Sequence, residues 1–244
     1  MSDEERFEAF LKERIGLDVG SVGASVIARA VRQRLSSGVA ADADQYWALL
    51  QHSTQERQAL IEAVIVPETW FFRYPESFAT LAQLAVQRLA VLAGARPLRL
   101  LSLPCATGEE PYSIVMCLLD AGLSGQSFQV DALDVSPLLI ERARRAVYGK
   151  NSFRGEALEF RARHFTEVED GYRLSEAVCR QVRLQCGNLL DPGLLATEPA
   201  YDVLFCRNLL IYFDRATQES VLALLKRLTR QDGVLFIGPA EASL

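Results

Sequence analysis

The first ninety or so residues carry apolar side chains at intervals of three and four, which is the spacing of one face of an α-helix. The pattern recurs in four segments, which are FEAFLKERIGL, SVIARAVRQRLSS, DADQYWALLQ and TQERQALIEAV. Asp42 and Thr54 stand where helix N-caps are expected, and Gly38 stands where a helix should end. We therefore predict an N-terminal helical domain over residues 1–90.

From Pro97 onward, short apolar runs alternate with longer amphipathic segments. The runs PLRLLSLP, FQVDALDV and GVLFIGP predict buried strands, and YDVLFCRNLLIYF contains a further one. The segments EPYSIVMCLLDAGL, SPLLIERARRAVY and TQESVLALLKRLTR predict helices. Strands and helices that alternate along a chain form right-handed βαβ units around a mostly parallel sheet. The pattern predicts an α/β domain over residues 91–244.

The alternation is interrupted between Tyr148 and Gln181. Here HFTEVEDGYRLSEAVCRQVRLQC has the pattern of short strands on either side of Asp170-Gly171. An Asp-Gly pair between two strands is typical of a β-hairpin. We predict a small antiparallel β insertion over residues 150–182.

The composition of the chain argues against several classes of function. The net charge of the 244 residues is −5, and because domains that bind nucleic acid are usually basic, we expect no nucleic-acid partner. No apolar run approaches the ~18 residues that span a bilayer, and the charged start MSDEERFEAF is not a signal peptide. Five cysteines without a C-x-x-C pair favour the cytoplasm. With only two histidines, we expect no metal site.

The clearest candidate chemistry lies beyond the predicted strands. Ligands of open parallel sheets bind outside the carboxyl ends of the strands. The first strand runs into the loop PCATGEE, and later strands end in Asp134 and in Arg207-Asn208. Asp134 lies 26 residues after Gly108, which is near the spacing at which an acid binds a ribose hydroxyl.

Two adjacent glutamates, Glu109 and Glu110, open the helix after this loop. They would repel a phosphate, which is the usual ligand of such a helix end. A ligand with a ribose and a positive charge but no phosphate fits better, and S-adenosylmethionine has this composition. The alternative is that both glutamates are solvated first-turn residues that only favour the helix. An NAD-type oxidoreductase is a weaker interpretation, because no G-x-G-x-x-G is present.

Five segments together resemble the CheR family, the chemoreceptor glutamate O-methyltransferases of bacteria. They are VPETWFFRYPESF, LPCATGEEPYSIVM, LDVSPLLIERARRAVY, GNLLDP and FCRNLLIYFDRATQESVLALLKRLTRQDGVLFIGPAE. The resemblance covers nearly the whole chain, and the N-terminal ERIGLDVGSVGASVIARAVRQRL is most similar to the WspC type. It implies an α/β fold, a Rossmann-like S-adenosylmethionine-dependent methyltransferase sheet with an N-terminal helical domain and a small antiparallel β insertion.

The resemblance also implies the reaction and its participants. Methyl groups pass from S-adenosyl-L-methionine, which leaves S-adenosyl-L-homocysteine, to glutamate carboxylates in the cytoplasmic helical domain of a methyl-accepting chemoreceptor. The cofactor-binding residues that it implies are Thr69, Arg73, Glu110, Asp134, Asn188, Leu189, Asn208 and Leu209.

Within this set, Glu110 is expected to meet the methionine end of the cofactor and Asp134 the ribose, while Asn188 and Leu189 flank the adenine. Arg73 and Tyr212 are the catalytic candidates, which orient the substrate carboxylate. The receptor-binding candidates are Arg29 and Arg32, which fall three residues apart in one basic helix.

Several of these residues have a purely structural alternative. Tyr212 could be a core tyrosine with its hydroxyl bonded to the backbone. Arg73 could pair with Glu76 on the same helix, and Asn188 could cap the turn before Asp191-Pro192.

The chain also departs from the family pattern. Pro104-Cys105 replaces small residues, Pro67 stands at a position where Asn is common, and Pro239-Ala240 replaces the His-Ser of many relatives. The alternative function is therefore a catalytically weak methyltransferase-like module that binds the receptor.

Two further expectations concern the insertion and the end of the chain. Some family members add a receptor's C-terminal pentapeptide as a strand to a glycine-containing extension of the insertion. Here only the acidic stretch from Thr166 to Asp170 separates Phe165 from Gly171, so we predict pentapeptide-independent action. Because sheets of this class usually close with one more hairpin after GVLFIGP, we expect a fragment of a longer protein, which we predict to be monomeric.

Overall fold

The computed structural model of the chain describes residues 2–155 and 158–243. Its N-terminal part is a bundle of α1 (Asp3–Ile15), α2 (Val19–Val22), α3 (Ala24–Ser36), α4 (Ala43–His52) and α5 (Thr54–Val64). The apolar positions that predicted these helices form one core, in which Phe7, Leu11, Tyr46, Leu50 and Leu60 are buried. The predicted helical N-terminus is confirmed.

The helix ends follow the expected chemistry with one shift. Asp42 caps α4 by accepting a hydrogen bond from the backbone amide of Gln45. The cap of α5 is Ser53 and not the predicted Thr54. Gly38 follows the end of α3 with a φ of 79°, a left-handed conformation that terminates a helix.

The remaining helices and strands follow in chain order. They are α6 (Pro75–Leu92), β1 (Leu98–Ser102), α7 (Glu109–Asp120), β2 (Phe128–Asp134), α8 (Pro137–Arg145), β3 (Val147–Tyr148), α9 (Glu159–His164), β4 (Phe165–Val168), β5 (Gly171–Leu174), α10 (Glu176–Cys179), β6 (Val182–Cys186), β7 (Tyr201–Cys206), α11 (Arg215–Leu228) and β8 (Thr229–Ile237).

The main sheet has five strands in the order β6-β2-β1-β7-β8, and all four neighbouring pairs are parallel. The predicted parallel α/β sheet is therefore confirmed. Helix α6 begins inside the range 1–90 that we predicted for the helical domain and ends at Leu92. Its buried Phe78, Leu81 and Ala85 nevertheless belong to the same core as Leu98 and Leu100 of β1, so α6 packs with the sheet.

The second sheet is antiparallel, small and ordered β3-β5-β4. Val168 pairs with Gly171, so the predicted hairpin is confirmed and its turn consists of Glu169 and Asp170. The stretch that we interpreted as short strands of the insertion continues to Cys186, beyond the predicted boundary at residue 182, and its last part was interpreted wrongly. Val182–Cys186 is strand β6, the parallel neighbour of β2 at the edge of the main sheet, because Val182 and Leu184 pack with Ala132 of β2 and Ile140 of α8.

Helix α9 was not predicted, and Glu176–Cys179, which lies in the stretch that we interpreted as short strands, is helix α10. No helix among the described residues has the length and apolarity needed to cross a membrane.

Candidate active site

Strands β2, β1 and β7 are neighbours in the sheet, so the loops at their carboxyl ends meet at one edge. Asp134 ends β2, the PCATGEE loop follows β1, and Arg207-Asn208 follow β7. The expectation that the structure brings these three polar segments together is confirmed. They form the candidate site at the position that open parallel sheets use for ligands.

Asp134 joins two of these loops. One carboxylate oxygen accepts a hydrogen bond from the amide of Ala106 at 2.8 Å, and the other accepts from the amide of Ser136 at 3.0 Å. The residue is 5 % exposed, and burial raises the pKa of its carboxyl group. Each oxygen keeps a second lone pair, which a ligand hydroxyl can use.

The two adjacent glutamates are not solvated, so that interpretation was wrong. Glu109 is 2 % exposed and accepts hydrogen bonds from the hydroxyls of Thr107 at 2.6 Å and Ser152 at 2.8 Å. Burial raises the pKa of the Glu109 carboxyl group. Ser152 belongs to the segment that follows β3, so Glu109 fastens the loop after β1 to a distant part of the chain.

Glu110 forms an ion pair with Arg207, whose Nε lies 2.7 Å from one carboxylate oxygen. The other oxygen accepts a hydrogen bond from the Ser102 hydroxyl at 2.8 Å. Arg207 also donates to the backbone carbonyl of Arg73 at 2.8 Å. The charge of Glu110 is thus partly balanced within the protein, and Arg207 links the loops after β1 and β7 to the T-W-F-F-R segment.

Arg73 is held by an aromatic ring and a carbonyl. Its guanidinium carbon lies 4.3 Å from the centre of the Trp70 ring, and its Nη1 donates to the backbone carbonyl of Glu68 at 2.8 Å. The considered ion pair with Glu76 is not found among the described residues. That pair required both residues to lie on one helix, but Arg73 precedes α6 and the intervening Tyr74 has a φ of 62°.

A cavity of about 260 Å³ opens beside Asp134. Three further predicted residues line it, namely Asn208, Leu209 and Tyr212. Its opposite wall is apolar and comes largely from the helical domain, from Ile15, Leu17, Val22, Val26, Val64 and Ile65. Thr69, Arg73 and Glu110 do not line this cavity.

Tyr212 lines this cavity. Its side chain packs against the cores of the helical bundle and of the sheet. Among the residues that the structure describes, no hydrogen bond of the Tyr212 hydroxyl to the backbone is found, so the structural alternative for this residue receives no support.

A smaller cavity of about 60 Å³ adjoins the first and shares Asp134 and Leu209 with it. Asn188 and Leu189 line this part. The Asn188 amide donates to the carbonyl of Arg14 at 2.6 Å, and its oxygen accepts from the amide of Leu190 at 3.0 Å. Asn188 therefore does form the turn that its structural alternative required, and it lies at the cavity as well.

The Asn208-Leu209 loop depends on a residue that sequence reasoning missed. Glu241 is 2 % exposed, and its carboxylate accepts hydrogen bonds from the amides of Asn208, Leu209 and Leu210 at 2.7–3.0 Å. These contacts hold Asn208 in a left-handed conformation with a φ of 58°. Glu241 lies in the segment GPAE, but its position along the chain does not predict its hydrogen-bond partners.

The contacts that place the helical domain over the cavity were also missed. The Ser136 hydroxyl donates to Glu62 of α5 at 2.6 Å, and the Gln58 amide donates to the carbonyl of Val135 at 3.1 Å. The amide of Asp18 donates to the carbonyl of Tyr212 at 2.9 Å. The helical domain therefore forms one wall of the site and bonds directly to the residues on either side of it.

The polar and apolar groups that line the two cavities fit the nucleoside part of S-adenosylmethionine. Asp134 can accept from ribose hydroxyls, and the apolar walls around Asn188, Leu189 and Leu209 suit a neutral adenine. Glu110 retains lone pairs for an ammonium group. The acidic start of α7 is unsuited to a phosphate. The fold and the site together define a nucleoside-binding α/β transferase of the methyltransferase class.

Comparison with known proteins gives the family. Residues 67–243 match the CheR methyltransferase, SAM binding domain, and residues 2–65 match the CheR methyltransferase, all-alpha domain. The chain belongs to the CheR methyltransferase family, whose cofactor is S-adenosylmethionine, and the resemblance seen in the sequence is confirmed.

Among its relatives is the probable biofilm formation methyltransferase WspC of Pseudomonas aeruginosa, which is 68% identical over 98% of this chain and 57% of that protein. The protein of the same description from Pseudomonas putida is 61% identical over 99% of this chain and 57% of its own length. The chemotaxis protein methyltransferase of Salmonella typhimurium is 33% identical over 82% of this chain and 69% of its own length. The chain thus spans little more than half the length of the two most similar of these relatives.

Proposed function

We propose that the protein transfers methyl groups from S-adenosylmethionine to glutamate carboxylates in the cytoplasmic helical domain of a methyl-accepting chemoreceptor. The observation that carries this proposal is the cavity at the carboxyl ends of β1, β2 and β7, which gathers Asp134, Asn208, Leu209 and Tyr212 in a chain of the CheR family. The protein works in the cytoplasm as a monomer.

The cofactor residues divide into two groups. Asp134 accepts hydrogen bonds from the ribose, while Asn188, Leu189, Asn208 and Leu209 enclose the adenine. The methionine end extends toward Glu110, whose carboxylate faces the ammonium group, and toward Thr69 and Arg73 of the adjoining segment. When bound, S-adenosylmethionine supplies an electrophilic methyl group on a sulfonium.

The substrate needs orientation more than activation. A glutamate carboxylate has a pKa near ~4.3 and is ionised at neutral pH, so it can attack without a general base. Arg73 binds one carboxylate oxygen and leaves the other free to attack, and Tyr212, which lines the cavity, fixes the angle of approach. Holding reacting atoms in contact in this way lowers a barrier by several kcal/mol.

The receptor contacts the helical domain through Arg29 and Arg32. Both side chains are exposed on α3, and Arg34 of the same helix is instead paired with Glu56. Val26, one turn before Arg29, lines the cofactor cavity. A receptor helix that carries acidic residues would therefore bind close to the site of methyl transfer.

Reversing both charges tests this receptor surface. We expect the Arg29→Glu, Arg32→Glu protein to methylate receptor membranes about three- to tenfold more slowly at low ionic strength, with unchanged cofactor affinity. The matched control is the same reversal at Arg142 and Arg145, which are also exposed and three apart on α8. Equal rates for the α3 and α8 variants would remove Arg29 and Arg32 from the receptor interface.

The methylation does not require a tethering pentapeptide. The β4–β5 turn contains only Glu169 and Asp170, and both are acidic, so they repel a peptide that ends in a carboxylate. We expect no measurable affinity in a titration of the protein with such a peptide. Micromolar binding would contradict this part of the proposal.

Transfer of labelled methyl from S-adenosylmethionine to receptor-containing membranes tests the proposed reaction. We expect label that mild base releases from the receptor. Cofactor binding without any transfer would instead support the alternative, a module that binds the receptor and has lost turnover. Two departures from the family pattern lie at the site, since Pro104 lines both cavities and Pro67 lines the larger one.

A further inference from the structure

Trp70 stands beside the proposed catalytic arginine in a segment that the core holds in place. Phe71 is buried among the rings of Tyr148, Phe153 and Phe165. The amide of the next residue, Phe72, donates to a serine hydroxyl of α7 at 2.9 Å. Because these neighbours fix the backbone, the partly exposed Trp70 has a defined position.

Two guanidinium groups lie over the Trp70 ring. The guanidinium carbon of Arg73 is 4.3 Å from the ring centre, and that of Arg154 is 4.7 Å away. Glu68 contacts both arginines, since its backbone carbonyl accepts from Arg73 at 2.8 Å and its carboxylate accepts from Arg154 at 3.0 Å. Glu68 and Trp70 thus each contact both arginines.

The two arginines differ in how their charge is balanced. Arg154 has the Glu68 carboxylate, as Arg207 has that of Glu110. Within the described residues, Arg73 has no carboxylate partner. Its contacts are the Trp70 ring, the Tyr74 ring at 5.4 Å and a carbonyl, and its Nε is buried without a hydrogen-bond partner. An aromatic ring attracts a guanidinium through its quadrupole but has no net charge. Stacking therefore orients Arg73 and leaves its charge available to an anion.

The geometry points to Trp70 as a positioning residue for methyl transfer, one that orients Arg73 toward the substrate carboxylate without neutralising it. This inference rests on the proposed function, because Arg73 needs an anionic substrate. A carboxylate partner at this position would compete with the substrate for the guanidinium, whereas the ring does not. The ligand that this arrangement favours is a carboxylate side chain.

Substitution of Trp70 in the full-length protein tests this role. Trp70→Leu removes the quadrupole and keeps an apolar side chain, and Trp70→Phe keeps a smaller ring. We expect Trp70→Leu to lower kcat for receptor methylation about five- to thirtyfold. Trp70→Phe should restore most of the loss. Because Arg73 also faces the methionine end of the cofactor, the Kd for S-adenosylmethionine should rise in Trp70→Leu, but by a smaller factor than kcat falls.

A double-mutant cycle separates positioning from a structural role. If Trp70 acts through Arg73, then Trp70→Leu has no further effect on kcat in an Arg73→Gln background. The matched control is Trp47→Leu, since Trp47 lies below another arginine, Arg6, at 5.7 Å in the helical domain. That variant should lose stability and keep its kcat.

The outcomes distinguish this inference from the proposed function. An active parent protein whose kcat is unchanged by Trp70→Leu would overturn the role of Trp70 alone. Additive effects of Trp70→Leu and Arg73→Gln would do the same. A parent that binds cofactor but transfers no methyl would overturn the proposed function, and the role of Trp70 with it.

Discussion

Replacing Asp134 separates its two tasks, which are to bind ribose and to hold two loops. Its carboxylate accepts hydrogen bonds from the amides of Ala106 and Ser136. In Asp134→Asn the amide nitrogen must face one of those donors, so one hydrogen bond to a charged group is lost, at about 1.5–3 kcal/mol. Since burial raises the pKa of Asp134, removing the charge also relieves a desolvation cost. We therefore expect a net loss of about 1 kcal/mol in the free energy of unfolding.

The effect on the cofactor should be larger. A ribose hydroxyl that loses its charged acceptor costs about 1–3 kcal/mol, which corresponds to an increase of about 5- to 150-fold in the Kd for S-adenosylmethionine. Titration calorimetry with S-adenosylmethionine and S-adenosylhomocysteine measures this change. The same proteins in urea denaturation give the stability.

Asp131→Asn is the matched control. Asp131 lies on the same strand and is 1 % exposed, but it pairs with Arg183 and Arg99 and does not line the cofactor cavities. It should lose stability and keep its cofactor affinity. If Asp134→Asn binds S-adenosylmethionine as tightly as the parent does, or if both variants lose affinity in proportion to their stability, the assignment of Asp134 to the ribose is refuted.

Three further predictions concern acids at or beside the site. Because burial raises the pKa of Glu109, the parent loses stability as the pH rises from the unfolded pKa of ~4.3 through the higher folded pKa. Glu109→Gln lacks this loss, so urea denaturation should show its stability relative to the parent increasing from pH 4 to pH 7. A stability difference that does not change with pH would refute the reasoning. Glu110→Gln leaves Arg207 buried without a carboxylate and should lower the free energy of unfolding by about 3 kcal/mol, and a loss below about 1 kcal/mol would contradict the pairing seen here. Glu62→Ala removes the acceptor of Ser136 between the helical domain and the site and should weaken cofactor binding about two- to tenfold in calorimetry, whereas unchanged affinity would show that this contact does not shape the cavity.

The sequence predicted those features that depend on local pattern. Apolar spacing located the helices and the central strands, and the polar residues after β1, β2 and β7 predicted the edge of the sheet where the cavity lies. The short helices α9 and α10 were missed, and Val182–Cys186 was assigned to the wrong sheet. It follows the hairpin within a few residues, and its period-two pattern is the same for an antiparallel insertion and for the edge strand that it forms.

The partners of the site residues could not be predicted. Glu241 bonds to Asn208 across 33 residues and Glu62 bonds to Ser136 across 74 residues, and no spacing along the chain encodes such pairs. Glu110 was correctly singled out as unusual. Its internal partner Arg207 lies 97 residues away and is brought near only because β1 and β7 are neighbours. The ring under Arg73 was adjacent in sequence, but whether it contacts Arg73 depends on the left-handed turn at Phe72 and Tyr74.

Mass spectrometry of receptor peptides after incubation with the full-length protein and isotopically labelled S-adenosylmethionine tests the proposed reaction most directly. The expected result is one labelled methyl group on each modified glutamate, as an ester that mild base converts back to glutamate, with one S-adenosylhomocysteine formed for every ester. Label on lysine, arginine or a terminal amine, or cofactor binding with no labelled glutamate in any receptor peptide, would contradict the assignment of the protein as a receptor glutamate methyltransferase.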